Sequence, residues 1–143
     1  MLAVHLIMGI TVLLTNLGAG VWGGAAWYRR RPSVGFWYLL RCAQVAVVVQ
    51  VGLGGLLVLD GREAVDGLHY VYGVLPVLVT LLAEGARIVA SEHELEGLDF
   101  DSLPRERQRA VAAAISRRET GIMAVSALVI VGLALRAAFT SPL

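Results

Sequence analysis

Two histidines, His5 and His69, are the residues of this chain best suited to carry chemistry. Each is followed four residues later by a glycine, Gly9 in one case and Gly73 in the other. On a helix a spacing of four places histidine and glycine on one face, so each imidazole has a flat gap beside it. Imidazole nitrogen is a common metal ligand and a normal axial ligand of haem iron. The pattern therefore predicts a pair of metal ligands beside small-residue surfaces.

The elements that must position these histidines are four long apolar stretches. The chain has 143 residues, of which 57% are hydrophobic and 16% are charged. Soluble domains have about 45–50% apolar and about 25% charged residues, which excludes an ordinary soluble enzyme, a disordered tail and a nucleic-acid-binding module. Since about 17–25 helical residues span a bilayer, we predict an all-α, integral membrane four-helix bundle. Asp, Glu, Lys and Arg are missing from residues 1–28, 42–59, 67–83 and 120–135.

Turn residues and charges set the expected bounds of these elements. We expect a single transmembrane domain over residues 1–143, with helices at about 2–27, 34–59, 68–90 and 120–139. The second and third helices are separated by a short polar loop bounded by glycines, residues 60–67. Residues 91–118 are expected to form a cytoplasmic polar loop, first acidic and then basic, whose basic half runs into the last helix with little break.

The arginines predict how the bundle lies in the membrane. All twelve basic residues are Arg, and ten of them lie near the junction of helices 1 and 2 or that of helices 3 and 4. Only Arg62 and Arg136 lie towards the other side. By the positive-inside rule the arginine-rich side faces the cytoplasm, and the N-terminus and C-terminus are outside. We expect a multi-pass protein of the bacterial cell (inner) membrane.

With this topology the two histidines lie at matched depth, a few residues below the outer surface. The outer half of helix 2, residues 50–55, is rich in glycine at the same depth. A space flanked by two imidazoles suits a flat, apolar metal macrocycle. Cofactor sites in helical bundles are commonly built in this way, from side chains on facing helices. We therefore expect a b-type haem whose iron is bound by His5 and His69, a site fit for electron transfer or haem handling. Arg62 and Arg136 are the candidate partners of its propionates.

The segment Gln50-Val51-Gly52-Leu53-Gly54-Gly55, followed by a short loop with Gly67 and then Leu68-His69, resembles the Gln-x-x-Leu-Gly-Gly…Leu-His signature of heme A synthases. The resemblance covers about residues 3–80. It implies that helices 1–3 match three helices of one four-helix half of such an enzyme, with His5 and His69 on its haem-ligand positions and Gln50 and Gly54 at the cofactor. The family's outer-loop Glu and Cys pair have no counterpart here, so the resemblance implies haem binding more directly than oxidoreductase activity.

Two other functions are open on the residues alone. The chain could be a cofactor-free accessory or assembly subunit of a larger respiratory membrane complex, with its glycines serving helix packing. It could also be a small transporter centred on Glu84 and Arg41, which are ionisable residues within membrane helices; an ion pair between them, with Arg87 as the competing partner, is the structural alternative. The lipid bilayer is the expected partner, together with a second copy or respiratory-complex subunits, and nucleic acid is not expected. The single cysteine, Cys42, is expected to be an inert buried thiol.

Overall fold

The computed structural model describes residues 1–62, 64 and 66–140, so Glu63 and Val65 of the expected outer loop lie outside the described residues. The predicted all-helical architecture is confirmed, and each of the four long helices is long and apolar enough to cross a membrane. The bounds predicted for the first two helices agree to within one residue. The helices are α1 (Leu2–Tyr28), α2 (Val34–Leu59), α3 (Leu68–Leu95) and α4 (Arg105–Phe139), with a short 3-10 helix at Phe100–Ser102.

The polar segment between α3 and α4 is much shorter than the predicted loop of residues 91–118. α3 continues to Leu95, and α4 begins at Arg105 instead of near Thr120. With 35 residues, α4 is about 52 Å long, whereas the hydrocarbon core is about 30 Å thick. The first turns of α4 therefore extend beyond the apolar layer. Their Ala, Arg, Glu and Gln residues are strong helix formers, so the charge that ends the membrane-compatible stretch does not end the helix.

Local hydrogen bonds define where the helices that carry the site begin. The backbone N–H of Phe36 donates to Ser33 Oγ at 3.3 Å, which caps α2 directly after Pro32. The backbone N–H of Leu68 donates to Asp66 Oδ1 at 2.9 Å at the start of α3. These caps satisfy N–H groups that the first turn of a helix leaves without intrahelical partners.

The helices pack with alternating direction, so that chemistry-bearing residues gather at two opposite ends. We call the end where α1 and α3 begin and α2 and α4 end the histidine end, and the opposite end the arginine-rich end. α4 packs extensively against α1 and α3, and α1 packs against α2, whereas α2 and α3 make few contacts. The bundle is therefore most open along the side between α2 and α3.

The buried core lies at the arginine-rich end and in the middle of the bundle. One cluster of buried residues contains Phe36, Leu40 and Met123. The second contains Val12, Val47 and Ile130. Each of these three residues lies seven positions, about two helical turns, from a residue at the histidine end. Val12 is that far from His5, Val47 from Gly54 and Ile130 from Ala137. The two clusters thus end below the level of the histidines, and Leu57 near the end of α2 is a buried residue outside them.

The outer surface of the bundle carries many large apolar side chains. Leu14, Val45 and Leu82 are each at least 60% exposed, as expected for helices that face lipid rather than water. Cys42 also lies on the exposed surface of α2. The expectation of a buried thiol is therefore wrong, because the face of α2 that carries Cys42 is turned away from the other helices.

Candidate functional site

The two histidines come together at the histidine end. His5 lies in the first turns of α1 and His69 is the second residue of α3. The centroids of their rings are 6.2 Å apart, and the ring planes are inclined by 57°. Both side chains are partly buried. Two residues separated by 64 positions in the chain therefore lie side by side, at the same level of the bundle.

The ring of His69 is held by the end of α4. Its Nδ1 lies 3.0 Å from the carbonyl oxygen of Ala137. Since a carbonyl oxygen can only accept, Nδ1 carries the ring hydrogen and donates it, and Nε2 keeps its lone pair. Nε2 makes no hydrogen bond within the part of the chain that is described. A hydrogen bond of this kind fixes the orientation of a histidine that binds a metal through its other nitrogen.

The ring of His5 is held by α2. Its Nε2 lies 3.2 Å from the side-chain nitrogen of Gln50. In this arrangement His5 Nδ1 and Gln50 Oε1 are buried without a hydrogen-bond partner, and they are the only such side-chain atoms in the described residues. A half-turn of the amide would let His5 Nε2–H donate to Gln50 Oε1 and would leave Nδ1 as a free lone pair. In either arrangement one nitrogen of His5 is buried and unpartnered, which in a folded protein calls for an explanation such as a ligand.

The glycines around the histidines play two different parts. A Cβ at Gly54 would lie 3.4 Å from Cε1 of His5, and one at Gly9 would lie 3.2 Å from the side-chain nitrogen of Gln50. These two glycines make room for the histidine and the glutamine themselves. A Cβ at Gly73, by contrast, would have no atom within 4 Å. Of the two His-x-x-x-Gly pairs, only the one on α3 leaves open space beside its histidine.

The two outer arginines lie at the rim of this end. Arg136 is next to Ala137 in α4, and its guanidinium lies 5.7 Å from the centre of the Tyr72 ring. Arg62 follows α2 and pairs with Asp60 at 3.7 Å, with both side chains more than half exposed. Within the described residues neither arginine contacts the histidines. Both side chains are exposed, and they contact Tyr72 and Asp60 rather than the imidazoles.

Clusters of three or more His, Cys, Asp or Glu side chains that could hold a metal ion are absent from the described residues. The polar groups at the histidine end are instead the imidazoles of His5 and His69, the side-chain amide of Gln50 and the backbone carbonyl of Ala137. Two imidazoles are fewer side-chain ligands than a structural zinc site usually has, which is four. They can bind a metal whose remaining ligands come from a macrocycle.

A second polar group lies in the opposite half of the bundle and has a different character. Glu84 accepts hydrogen bonds from Arg41 at 2.5 Å, from Gln44 at 2.7 Å and from Arg87 at 2.6 Å. Both arginines that the sequence offered as alternative partners therefore bind it together. Arg87 also reaches Glu119 at 3.1 Å. Because these charges are mutually satisfied, the group ties α2, α3 and α4 together.

Three contacts of these two groups were not anticipated from the sequence. The carbonyl of Ala137 leaves no sequence signal, because every residue carries one. Gln44 and Glu119 do carry a signal, since polar side chains at the edges of apolar stretches need partners. Their partners could not be assigned, because the contacts join different helices.

Comparison with known proteins identifies no relative of this chain. The likeness to heme A synthases therefore rests on the residues quoted from the sequence, and the arrangement of His5, Gln50 and His69 must be argued on its own geometry. Searches of protein-family models, of curated proteins and of solved structures find nothing that matches this chain.

Proposed function

We propose that this chain is a membrane haem protein that holds one b-type haem at its histidine end between His5 and His69. The observation that carries the proposal is the approach of the two rings from different helices, with centroids 6.2 Å apart. A metal–imidazole nitrogen bond is about 2.0–2.1 Å long, so two imidazoles on opposite sides of one metal have ring centroids roughly 6 to 7 Å apart. The separation of the His5 and His69 centroids lies within that range.

The hydrogen bonds of the two rings also support this assignment. Ala137 O and the amide of Gln50 each engage one nitrogen of a histidine. One nitrogen on each ring has no partner among the described residues. In this proposal Ala137 O accepts from His69 Nδ1–H, and the amide of Gln50 is turned so that its Oε1 accepts from His5 Nε2–H. Both partners then orient the rings and raise the basicity of the free nitrogens, as hydrogen-bond partners of metal-binding histidines do.

The composition of the donor set favours haem over a bare metal ion. Two histidines fill both axial positions of haem iron and leave the four equatorial positions to the porphyrin. The bound haem would supply one-electron redox chemistry. The chain itself would supply axial ligation, exclusion of water by the apolar helices, and two cations, Arg62 and Arg136, at the rim.

The place of the site in the membrane follows from the arginine distribution. With ten of twelve arginines towards the opposite end, the positive-inside rule places the histidine end at the outer face of a bacterial inner membrane, with both termini outside. A haem near that face could exchange electrons with, or transfer haem to, a partner in the outer aqueous space or a respiratory complex. The resemblance to half of a heme A synthase points to the same outer-face position.

The test is an absorption spectrum of the full chain, expressed with an adequate haem supply and purified in detergent. We expect sharp bands in the reduced-minus-oxidised spectrum and a low-spin signal in electron paramagnetic resonance. His69→Gly should lose haem or become high-spin, because one axial ligand is gone, and added imidazole should restore the low-spin spectrum. Restoration by imidazole would separate lost ligation from misfolding.

His93→Ala is the matched control, since it removes the third histidine, whose side chain is 71% exposed at the arginine-rich end of the bundle. It should leave the spectrum unchanged. A protein that stays colourless with haem in excess would overturn the proposal, as would one whose haem bands survive both His5→Ala and His69→Ala. Stoichiometric co-purification of such a colourless protein with respiratory subunits would instead favour the accessory-subunit function.

A further inference from the structure

A small cleft at the arginine-rich end gathers three arginines. It lies between the end of α1, the turn into α2 and the first half of α4, and has a volume of about 50 Å³. That volume is room for a few water molecules, which is the size of one tetrahedral phosphate group and too small for a nucleotide. The side chains that give it its character are Trp27, Arg30, Arg31, Ser116, Arg117 and Thr120.

The positive charge of this cleft is not neutralised by the protein. Within the described residues no carboxylate lies within 4 Å of Arg30, Arg31 or Arg117, because the nearby acids are engaged elsewhere. Glu119 pairs with Arg87 and Glu94 pairs with Arg118. Three guanidinium groups around one cleft repel one another. An anion bound between them would remove that repulsion and accept their hydrogen bonds.

The backbone of Arg30, which lines the cleft, has a conformation that is strained for a residue other than glycine. Arg30 has a φ of +54° and is the only described non-glycine residue with positive φ. Its N–H donates to Trp27 O, and the N–H of Arg31 donates to Ala26 O, which together close the end of α1. Glycine is the residue that this position favours. α2 ends with the same pair of hydrogen bonds and has Gly61 there, with a φ of +76°. Arginine thus occupies a place where glycine is less strained.

Trp27 supplies a rigid apolar wall for the cleft. The guanidinium of Arg117 lies 5.8 Å from the centre of its ring. A Cβ at Gly121 would lie only 2.8 Å from the indole nitrogen, so the ring is packed directly against the backbone of α4. Trp27 also stands at the boundary between the uncharged stretch 1–28 and Arg29–Arg31. Tryptophan at such a boundary lies at the depth of lipid headgroups.

We propose that this cleft binds the phosphate of an anionic phospholipid, with the guanidinium groups of Arg30, Arg31 and Arg117 around it. A lipid is favoured over a free anion because the cleft opens at headgroup depth, beside exposed apolar side chains that can lie along acyl chains. Basic pockets between helices on the cytoplasmic side of membrane proteins commonly bind anionic headgroups. The site is independent of any cofactor at the histidine end.

The experiment counts lipids bound to the full-length protein by native mass spectrometry in detergent, with phosphatidylglycerol and phosphatidylcholine of the same acyl chains as probes. The test variant carries Arg30→Gln, Arg31→Gln and Arg117→Gln. The matched control carries Arg105→Gln, Arg107→Gln and Arg109→Gln, which remove the same charge from the exposed start of α4. We expect the test variant to bind phosphatidylglycerol at least about tenfold more weakly, because the charge-assisted hydrogen bonds of three guanidinium groups to one phosphate are lost. The control should change binding less than about twofold.

A single-site variant and a competition with inorganic phosphate complete the test. Arg30→Gly removes one guanidinium while relieving the left-handed strain, so weaker lipid binding in a chain that is still helical and monodisperse would support the cleft. Equal losses in both triple variants, or equal binding of phosphatidylcholine, would overturn the proposal in favour of diffuse charge attraction. Inorganic phosphate should fail to displace the lipid. If it competes as well as phosphatidylglycerol does, the site takes a free anion and the assignment to lipid is wrong.

Discussion

Three glycines at the arginine-rich end, Gly23, Gly35 and Gly121, lie where a neighbouring aromatic side chain packs, whereas three glycines at the histidine end face open space. A Cβ at Gly23 would lie 2.4 Å from the Phe36 ring, and one at Gly35 would lie 2.7 Å from the Trp22 ring. Towards the other end, Gly52, Gly55 and Gly73 would place a Cβ with no atom within 4 Å. Of these three, Gly52 and Gly55 lie on the exposed surface of α2, and only Gly73 is partly buried. Close packing thus explains Gly23 and Gly35, and Gly73 is the open glycine that could adjoin a ligand.

The two ends also differ in how completely the hydrogen bonds of their polar groups are satisfied. The carboxylate of Glu84 is fully used by Arg41, Gln44 and Arg87. At the histidine end, buried polar atoms of His5 and Gln50 have no partner. A satisfied network stabilises a fold, whereas unsatisfied groups cost free energy unless a ligand completes them. The difference supports the proposal that the histidine end holds a ligand, whereas the Glu84 network joins the helices in the other half of the bundle.

The largest effect is expected at the packed end. Phe36 is fully buried and its ring centre lies 5.1 Å from that of Trp37. Phe36→Ala should lower the free energy of unfolding by about 3–5 kcal/mol, because it leaves a cavity in the core. Denaturant unfolding in detergent, followed by helical circular dichroism, measures the change. Tyr38→Ala, two residues along the same helix and 72% exposed, is the control and should have little effect. Equal losses would show that the packing contrast between faces of α2 does not hold.

The next effect concerns the charge network. Glu84→Ala should destabilise the bundle by about 1–3 kcal/mol, because it leaves the guanidiniums of Arg41 and Arg87 without their shared carboxylate in a position that is only partly buried. Glu92→Ala, on the exposed face of the same helix, serves as the reference in the same unfolding measurement. If Glu84→Ala unfolded no more easily than Glu92→Ala, the network would not be what joins α2, α3 and α4. A pH-dependent ion flux that depends on Glu84 would revive the transporter hypothesis.

The contrast between glycines can be tested directly. Gly23→Ala should cost about 1–3 kcal/mol, because its methyl group must displace the buried Phe36 ring. Gly73→Ala should leave stability unchanged or raise it by up to about 1 kcal/mol, since alanine is the better helix former and meets no neighbour. If the open space holds haem, Gly73→Leu should lower haem content at unchanged helicity. A stable Gly23→Ala protein together with a destabilised Gly73→Ala protein would reverse the comparison.

The smallest expected change is a gain in stability. Arg30→Gly should raise the free energy of unfolding by about 1 kcal/mol in the absence of anionic lipid, because glycine adopts the left-handed conformation without steric cost. Arg29→Gly is the matched substitution at a residue with ordinary helical φ of −77°, and it should not stabilise. A lower stability of Arg30→Gly would mean that packing of the arginine stem outweighs the backbone strain.

Much of the fold was accessible from the sequence, because membrane helices follow from uninterrupted apolar runs. The bounds of α1 and α2 and the paired depth of His5 and His69 came from such runs. The start of α4 was placed about fifteen residues too late, because hydropathy detects the part of a helix that matches lipid and not its continuation beyond it. The burial of Cys42 was also predicted wrongly, since α2 is apolar on every side and its inner face has no clear signal.

The sequence predicted which histidines form the candidate site, but it did not predict the contacts that orient them. His5 and His69 could be paired by depth, and the amide of Gln50 could be placed near them. The hydrogen bond from His69 to Ala137 and the contact of Gly54 with His5 could not be derived. Both depend on how far each helix is rotated about its axis when it packs against its neighbours.

By itself, the sequence determined that four apolar helices form and which end carries the arginines. Backbone N–H and C=O groups in lipid must be satisfied within each helix, so this part of the outcome is local. Only the tertiary structure decided that α1 and α3 bring two imidazoles within 6.2 Å, that three arginines surround one cleft, and which glycines stay open. Those outcomes depend on helix rotation and spacing, which arise from side-chain packing between segments far apart in the chain.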